Sequence, residues 1–190
     1  NISCINVDKN GNYYAIKDST CLKSDDGTSW IENTFKRKSS YWESMSIDVN
    51  DDVYLGTSQN GVYLSNDSSK SWELINDGLF NKYVISTTSD DSGNVVVGTF
   101  GNPFLLKDSV YSWQSLSNGF PRTFTTSLAI SPQGILFSGT QDYGMYRTSA
   151  PLRKRIPTIY NQIDTLPPVP EPVITDYNLF QNYPNPFNSS

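Results

Sequence analysis

Short apolar segments separated by polar turns recur along most of the chain. Val53-Tyr54-Leu55-Gly56-Thr57 is nearly continuously apolar, whereas Ser44-Met45-Ser46-Ile47-Asp48 alternates polar and apolar residues. Alternation is typical of a strand with one buried face, and a short continuous apolar run is typical of a strand covered on both faces. The apolar positions show no 3.6-residue period, so the pattern predicts strands and excludes a helical solenoid.

Three markers return at a common spacing of about 41 residues. They are tryptophans, Gly-Thr pairs and serines: Trp30, Trp72 and Trp113; Gly56-Thr57, Gly98-Thr99 and Gly139-Thr140; Ser44, Ser86 and Ser127. Each copy divides into four short segments, and four strands in about 40–45 residues is the size of a propeller blade. We therefore predict an all-β fold, a partial β-propeller of about four blades built from four-stranded antiparallel sheets. It occupies residues 1–149, with copies starting near residues 3, 44, 86 and 127.

Two of these markers suggest packing roles. The glycine near the end of each second segment either lets another backbone approach closely or simply ends the strand. The tryptophan at the head of each fourth segment is a large ring that can fill a wedge between blades, and we interpret it as a core residue.

The polar turn before each tryptophan carries an aspartate five residues ahead of it, namely Asp25, Asp67 and Asp108. The first turn, Ser24-Asp25-Asp26-Gly27-Thr28-Ser29-Trp30, resembles the Asp-box (BNR) repeat of sialidase-like and sortilin-like propellers. In such a turn the carboxylate accepts backbone N–H bonds and the glycine supplies a positive φ. Ser69 and Val110 replace that glycine in the later copies, which predicts strained turns there. The resemblance implies that these aspartates are structural and lie opposite the ligand face.

The resembling family includes enzymes, so catalytic groups need a direct check. Arg37, Arg122 and Arg147 occupy non-equivalent points of the repeats, and no glutamate pairs recognisably with a tyrosine. The chain has no histidine, the commonest general base and metal ligand. We therefore predict no catalytic residue, no metal and no cofactor. The 19 acidic residues still leave open a glycoside hydrolase that uses two carboxylates.

Residues 150–175 contain six prolines without periodicity and are interpreted as an extended, semi-stiff linker. Asp176 to Asn188 then resembles the opening of the C-terminal sorting domain of the type IX (Por) secretion system, through Tyr177-Asn178-Leu179-Phe180-Gln181-Asn182-Tyr183-Pro184-Asn185-Pro186-Phe187-Asn188. The resemblance implies that residues 176–190 begin a truncated sorting domain, with the secretion machinery as a partner. It also implies that the protein is secreted or held on the outer surface of a bacterium. We expect the fourth blade to lack its fourth strand and the chain to be cut at both ends.

Net charge, apolar run length and the two cysteines bear on three further properties: the class of partner, a membrane span and a disulfide. The formal net charge of −5 disfavours nucleic acid as a partner. No apolar run approaches the roughly 18 residues of a membrane span. Cys4 and Cys21 fall on the first and third strands of one blade, about 10 Å apart and beyond disulfide reach, which predicts free thiols.

These observations favour a secreted binding module for a glycan or a protein over an enzyme, with a glycoside hydrolase as the alternative. A sensor-type propeller is a third possibility that the sorting tail disfavours. The ligand face would comprise the loops between second and third strands and those between blades. Its candidate residues are Trp42, Gln59, Asn60, Phe100, Asn102, Arg122, Gln141, Asp142 and Tyr143, with Phe80, Tyr83 and Phe124 in the same loops.

Overall fold

The computed structural model describes residues 2–18, 20–34, 42–107, 111–153 and 179–181. The first sheet consists of Ile2–Val7 (β1), Tyr13–Lys17 (β2), Thr20–Ser24 (β3) and Ile31–Thr34 (β4). The second consists of Trp42–Ile47 (β5), Val53–Thr57 (β6), Gly61–Ser65 (β7) and Glu73–Leu74 (β8). The third consists of Val84–Ser89 (β9), Val95–Thr99 (β10), Pro103–Leu106 (β11) and Trp113–Ser115 (β12). The fourth consists of Thr125–Ile130 (β13), Leu136–Thr140 (β14), Met145–Thr148 (β15) and Leu179–Gln181 (β16).

Each sheet is a blade of four antiparallel strands that follow one another in chain order. The first strands β1, β5, β9 and β13 pack against each other in sequence, so the blades stand side by side. This arrangement confirms the predicted all-β fold of four blades. Among the described residues no helix is long and apolar enough to cross a membrane.

Three apolar cores lie between successive blades. The middle core combines Tyr54 and Leu64 of the second blade with Val97 and Phe104 of the third, and all four side chains are buried. Similar cores join the first blade to the second and the third to the fourth. The strands β6 and β10 are buried along their whole length, because each of their faces contacts a neighbouring blade. That double burial is the physical reason for their continuously apolar sequences.

The repeated glycine permits a close approach between blades. A Cβ atom on Gly56 would lie 2.5 Å from a methyl carbon of Val84, in the first strand of the third blade. A Cβ atom on Gly98 would lie 2.7 Å from the carbonyl oxygen of Thr125, in the first strand of the fourth. Of the two explanations left open by the sequence, close approach therefore applies at both positions.

The alignment of the first copy needs a correction. Each first strand contains a bulge, and the strand begins ahead of the residue that marked its copy in the sequence. Cys4 lies opposite Ile16, as Ser44 lies opposite Gly56, so the residue equivalent to Ser44 is Cys4 and not residue 3, where the sequence placed the start of the first copy. The sequence pattern missed this because the first blade has isoleucine in place of the marker glycine.

The prediction that the fourth blade lacks a fourth strand is wrong. Leu179–Gln181 pairs antiparallel with β15, with Thr148 opposite Leu179. The outer edge of β15 presents backbone N–H and C=O groups that an extended segment can satisfy, and the predicted tail supplies that segment.

The predicted linker also differs at its start, because Leu152 is buried in the core between the last two blades. Residues 154–178 and 182–190 lie outside the described ranges.

The two cysteines are free, as predicted. Cys4 is half-buried on β1 and Cys21 is buried on β3, with β2 between them.

The tryptophans behave differently in the different blades. Trp113 is 3% exposed, and its ring N–H donates a 2.6 Å hydrogen bond to the carbonyl of Ile75 in the preceding blade. Trp72 packs against the core between the first and second blades. Both are wedges between blades, as predicted. Trp30 in the first blade is 41% exposed, so the prediction of a core position is wrong for this residue.

Replacing Gly98 with alanine tests the close approach. We expect Gly98→Ala to lower the free energy of unfolding by about 1–3 kcal/mol, because the added methyl group meets a backbone oxygen that cannot move alone. Urea denaturation followed by circular dichroism measures this change. An unchanged midpoint would show that the glycine merely ends the strand.

Candidate functional site

The loops of the blades divide between two ends of the molecule. Because each sheet is antiparallel and its strands follow in order, the turns between second and third strands share one end with the connections between blades. The turns within the first and last hairpins of each blade lie at the opposite end. All the predicted ligand-face residues belong to the first of these ends, which we call the ligand end.

A threonine at the end of each second strand in the last three blades organises the turn that follows. Thr57 Oγ1 donates to the carbonyl of Gly61, Thr99 Oγ1 to that of Asn102 and Thr140 Oγ1 to that of Gly144. These hydroxyls hold the turns that carry most of the candidate residues. The recurring Gly-Thr pair thus combines a packing residue with a turn-forming residue.

Aromatic side chains from three loops cluster at the ligand end. The ring centroids of Phe100 and Phe124 are 4.7 Å apart, and those of Tyr83 and Phe124 are 5.9 Å apart. Phe80 lies beside Phe104 and is 87% exposed. A phenylalanine ring that is so exposed contributes little to the stability of the fold, and its exposure indicates a contact surface.

Of these rings, Phe80, Phe100 and Phe104 line a cleft of about 500 Å³, which we call the aromatic cleft. Its lining residues are Phe80, Asn81, Phe100, Gly101, Asn102, Phe104, Ser115, Ser117, Phe120 and Arg122. Phenylalanine rings share this lining with asparagine, serine and arginine side chains, so the cleft offers both apolar and polar contacts to a ligand.

Hydrogen bonds between loops keep the aromatic cleft in shape. The Asn81 side-chain amide donates to the carbonyl of Phe100 at 2.8 Å, and its oxygen accepts the N–H of Tyr83. The Gly101 N–H donates to the carbonyl of Thr123. The walls of the cleft therefore come from separate blades but are joined directly to one another.

Arg122 supplies the cationic group at the cleft. Its guanidinium lies 5.9 Å from the centroid of the Phe100 ring, a cation–π arrangement. The side chain is exposed, and no described acidic residue forms an ion pair with it. Arg122 can therefore accept an anionic group from a ligand without first breaking an internal ion pair.

The structure brings some of the predicted site residues together and separates others. Phe100, Asn102 and Arg122 line the aromatic cleft. Gln141 and Asp142 line a separate cavity on the fourth blade, and they are joined to the loop that carries Arg122, since the Gln141 N–H donates to the carbonyl of Phe124 and Asp142 accepts from Thr123. The other candidates lie elsewhere at the ligand end: Tyr143 follows on the turn after β14, Gln59 and Asn60 form the β6–β7 turn, and Trp42 opens β5 opposite Thr57.

Six of the ten lining residues were not among the predicted ligand-face residues, namely Asn81, Gly101, Phe104, Ser115, Ser117 and Phe120. Asn81 accepts a hydrogen bond from the N–H two residues ahead of it, an Asx turn that its place in a polar loop could have indicated. Phe120 packs edge-to-face on Tyr146 at 5.2 Å, a contact between blades that no local pattern announces.

The turn before the first tryptophan requires a correction. Asp26, and not Asp25, accepts the N–H groups of Thr28 and Ser29 and the hydroxyl of Ser24. Asp25 is exposed and pairs with Lys23 at 3.3 Å. The prediction took the aspartate five residues before the tryptophan, but the first turn is one residue shorter than the second. The position that the two turns share is the second residue after the serine, which is Asp26 in the first turn.

The second turn matches its prediction more closely. Asp67 accepts the N–H groups of Lys70 and Ser71 and the hydroxyls of Ser65 and Ser71. Desolvation opposes its ionisation, but these hydrogen bonds outweigh it and lower the pKa of Asp67 to about 2. Ser69, which replaces the glycine, has a φ of 66°, so the predicted strain is confirmed there. Asp108 and Val110 lie outside the described residues.

The hairpin between the first and second strands of a blade contains another aspartate-centred turn, which the sequence pattern had not predicted. Asp8, Asp48 and Asp90 each accept two backbone N–H groups in the hairpin between the first and second strands of their blade. Desolvation is the largest influence on the Asp8 carboxyl, yet the hydrogen bonds from Asn12 and other neighbours prevail and lower its pKa. Their spacing of about 41 residues was the signal that could have revealed them. Within the described ranges, no group of three or more acidic or cysteine side chains is arranged to hold a metal ion.

Comparisons with known proteins support the architecture. No family model matches the chain, and no curated protein matches it. A structure of YCF48 bound to D1 peptide superposes with a TM-score of 0.59 at 17% identity, covering 77% of this chain and 50% of that one. Virginiamycin B lyase from Staphylococcus aureus, in a catalytically inactive form with quinupristin, gives a TM-score of 0.67 at 12% identity over 84% of this chain and 56% of that one.

A third similar structure is the extracellular domain of the hybrid two-component system BT4673 from B. thetaiotaomicron, with a TM-score of 0.52, 15% identity and coverage of 77% and 26%. At these identities the likeness establishes the fold, which is that of β-propeller blades. The chain spans about half the length of YCF48 and of the lyase.

Replacing Asp25 and Asp26 separately with alanine tests which of them organises the turn before Trp30. We expect Asp26→Ala to lower the melting temperature more than Asp25→Ala, because Asp26 satisfies two backbone N–H groups and Asp25 makes one exposed ion pair. Thermal unfolding followed by circular dichroism compares the two variants. A larger effect of Asp25→Ala would restore the original assignment.

The pH dependence of stability tests the Asp67 turn. Since the pKa of Asp67 is about 2 in the folded chain and 3.8 ordinarily, its contribution is present above about pH 4 and is lost as the pH falls to about 2. Asp67→Asn keeps an acceptor oxygen but cannot ionise. We expect the melting temperatures of the wild type and this variant to differ near neutral pH and to converge at about pH 2. A constant difference across this range would contradict the assignment.

Proposed function

We propose that this chain is part of a secreted or surface-attached interaction module that binds a protein segment at the aromatic cleft. The observation that carries the proposal is that one cleft is lined both by the exposed Phe80 ring and by the guanidinium of Arg122, with which no acidic residue of the described ranges forms an ion pair. Aromatic residues and arginine are the types most enriched among residues that dominate protein–protein affinity.

The chemistry of the cleft suggests the features of its ligand. An apolar side chain would pack against the exposed rings of Phe80 and Phe100, and a carboxylate within the same segment would pair with Arg122. Two structurally similar propellers are described with a bound D1 peptide and with quinupristin, which supports ligand binding by blades of this kind. A glycan is the other ligand class that the sequence suggested.

The resemblance of the C-terminal segment to a type IX sorting domain supports the secreted location. Under this proposal, the secretion machinery is a second partner that recognises residues 176–190, independently of the cleft. A glycoside hydrolase remains the alternative function, but the cleft lining includes no aspartate or glutamate among its described residues. Two-carboxylate hydrolysis would require an acidic pair about 5–10 Å apart.

A peptide-display selection, run in parallel with a glycan array, tests this function. We expect peptides that combine an apolar and an acidic residue to be selected. Phe80→Ala should weaken their binding about 30-fold, the effect of losing a residue that contributes about 2 kcal/mol. Arg122→Gln should weaken binding of acidic peptides and reduce its dependence on salt.

Two variants at the opposite end of the blades serve as controls in calorimetry. Tyr111→Ala removes an exposed aromatic ring, and Lys9→Gln removes an exposed cation, both away from the cleft. Neither should change the affinity. Selection of glycans alone would replace the protein ligand by a carbohydrate, and turnover of a polysaccharide by the wild type would favour the hydrolase.

A further inference from the structure

A side-chain carboxamide closes the start of the third strand in the second blade. The Asn76 side-chain N–H donates to the carbonyl of Asn60 at 2.7 Å, and its oxygen accepts the N–H of Val62 at 3.0 Å. The group lies so close to the turn that a Cβ atom on Gly61 would overlap it. Asn76 therefore fills the space at the ligand end between the turn before β7 and the connection after β8.

The third blade has different residues on both sides of the equivalent contact. The Leu116 N–H donates to the carbonyl of Pro103, the first residue of β11. In the second blade the residue before Asn76 makes the same bond to β7. Ser117, which follows Leu116, is therefore the counterpart of Asn76. A serine has no amide to offer, and Pro103 has no N–H to donate.

The corresponding space in the third blade is open. The Gly101 N–H donates to the connection after β12, as the Gly61 N–H donates to the connection after β8. A Cβ atom on Gly61 would overlap Asn76, whereas one on Gly101 would meet no atom of a non-adjacent residue within 4 Å. Gly101 and Ser117 both line the aromatic cleft, so this space is part of the cleft.

Two hydrogen-bond acceptors border this space, which we call the amide slot and define by Gly101, Asn102 and Ser117. The carbonyl of Gly101 accepts no hydrogen bond from any described residue. The Asn102 side-chain N–H donates to Ser115 Oγ, which leaves the amide oxygen Oδ1 without a donor in the described part of the chain. A group that carries two N–H donors matches such a pair of acceptors.

We propose that the amide slot binds a primary carboxamide of the ligand, the side chain of an asparagine or a glutamine. Its two N–H groups donate to the carbonyl of Gly101 and to Asn102 Oδ1, in the place that the Asn76 amide fills one blade earlier. This inference rests on the proposed function, because it assigns one residue of the protein segment that binds the aromatic cleft. The two acceptor oxygens repel a carboxylate, and an ammonium group would share the cleft with the cationic Arg122.

Nuclear magnetic resonance of the isotope-labelled 190-residue chain tests the slot with acetamide as the probe. We expect acetamide to shift the signals of the Gly101 N–H and of the Asn102 side-chain amide in a saturable way. N,N-dimethylacetamide, which has no N–H group, should leave both signals in place. Equal shifts with the two probes, no shift with acetamide, or shifts with methylammonium alone would each overturn the proposal.

Ser117→Asn tests the slot from within the protein. The new side chain should occupy the slot as Asn76 does in its own blade, so the shifts caused by acetamide should be lost. Ser149→Asn is the matched control, because it places the same group on an exposed serine after β15, at the opposite end of the blades. It should respond as the wild type does. Shifts retained in Ser117→Asn would contradict the assignment of the slot.

Peptide display on the wild type and on Ser117→Asn separates this inference from the proposed function. We expect the wild type to select peptides with asparagine or glutamine at a fixed distance from the apolar residue. Alanine at that position should weaken binding about tenfold, the effect of losing two hydrogen bonds. Ser117→Asn should still select apolar and acidic residues, but without the preference for a carboxamide.

The possible failures of the two proposals differ. Selected peptides that lack a carboxamide preference and bind both chains equally would overturn the amide slot and leave the protein ligand in place. A display that yields no peptide, together with saturable acetamide shifts, would overturn the protein ligand and keep the slot.

Discussion

Contact between the faces of successive sheets is the interaction on which the rest of the structure depends. A single four-stranded sheet with apolar residues on both faces cannot be stable in water, because neither face has a partner. Placing the sheets side by side removes this apolar surface from solvent, as in the core that joins Tyr54 and Val97. At two of the three junctions the first strand of the next blade comes so near that glycine is needed, at Gly56 and Gly98, whereas the first junction has Ile16 at this position.

This packing separates the stability of the molecule from its recognition chemistry. The cores lie between sheets, whereas the aromatic cleft lies in loops at their ends, where threonine hydroxyls and Asn81 hold the backbone. Side chains such as Phe80 and Arg122 can therefore change without altering a core. The loops at the opposite end have a structural role instead, because their aspartates fix the turn geometry and accept hydrogen bonds from backbone N–H groups.

The fold was predictable because its main signal is repetition. Three markers in one register imply repeated sheets, and the continuously apolar second strands imply burial on both faces. The exceptions have local causes: the first blade has Ile16 where the others have glycine, and its turn before Trp30 is one residue shorter, which moved the structural aspartate to Asp26. The fourth strand from Leu179–Gln181 could not be foreseen, because pairing with a sheet edge depends on backbone groups and leaves little trace in sequence.

The candidate site was only partly predictable for a different reason. Loop membership correctly placed Phe100, Asn102 and Arg122 at one end, since strand order alone determines which turns share an end. Which of these residues meet depends on contacts between blades. Asn81 and Phe120 reach the cleft through such contacts, and Gln59 lies in the turn of another blade, although its loop has the same topological position.

The location of Cys21 has a consequence for the redox chemistry of the protein. Burial raises the pKa of this thiol to about 11, and β2 keeps it apart from Cys4. At neutral pH the sulfur is almost entirely in its unreactive protonated form and is shielded from solutes. Oxidants and alkylating reagents can reach Cys21 readily only when the first blade opens. The rate at which this thiol is labelled therefore measures how often the first blade opens.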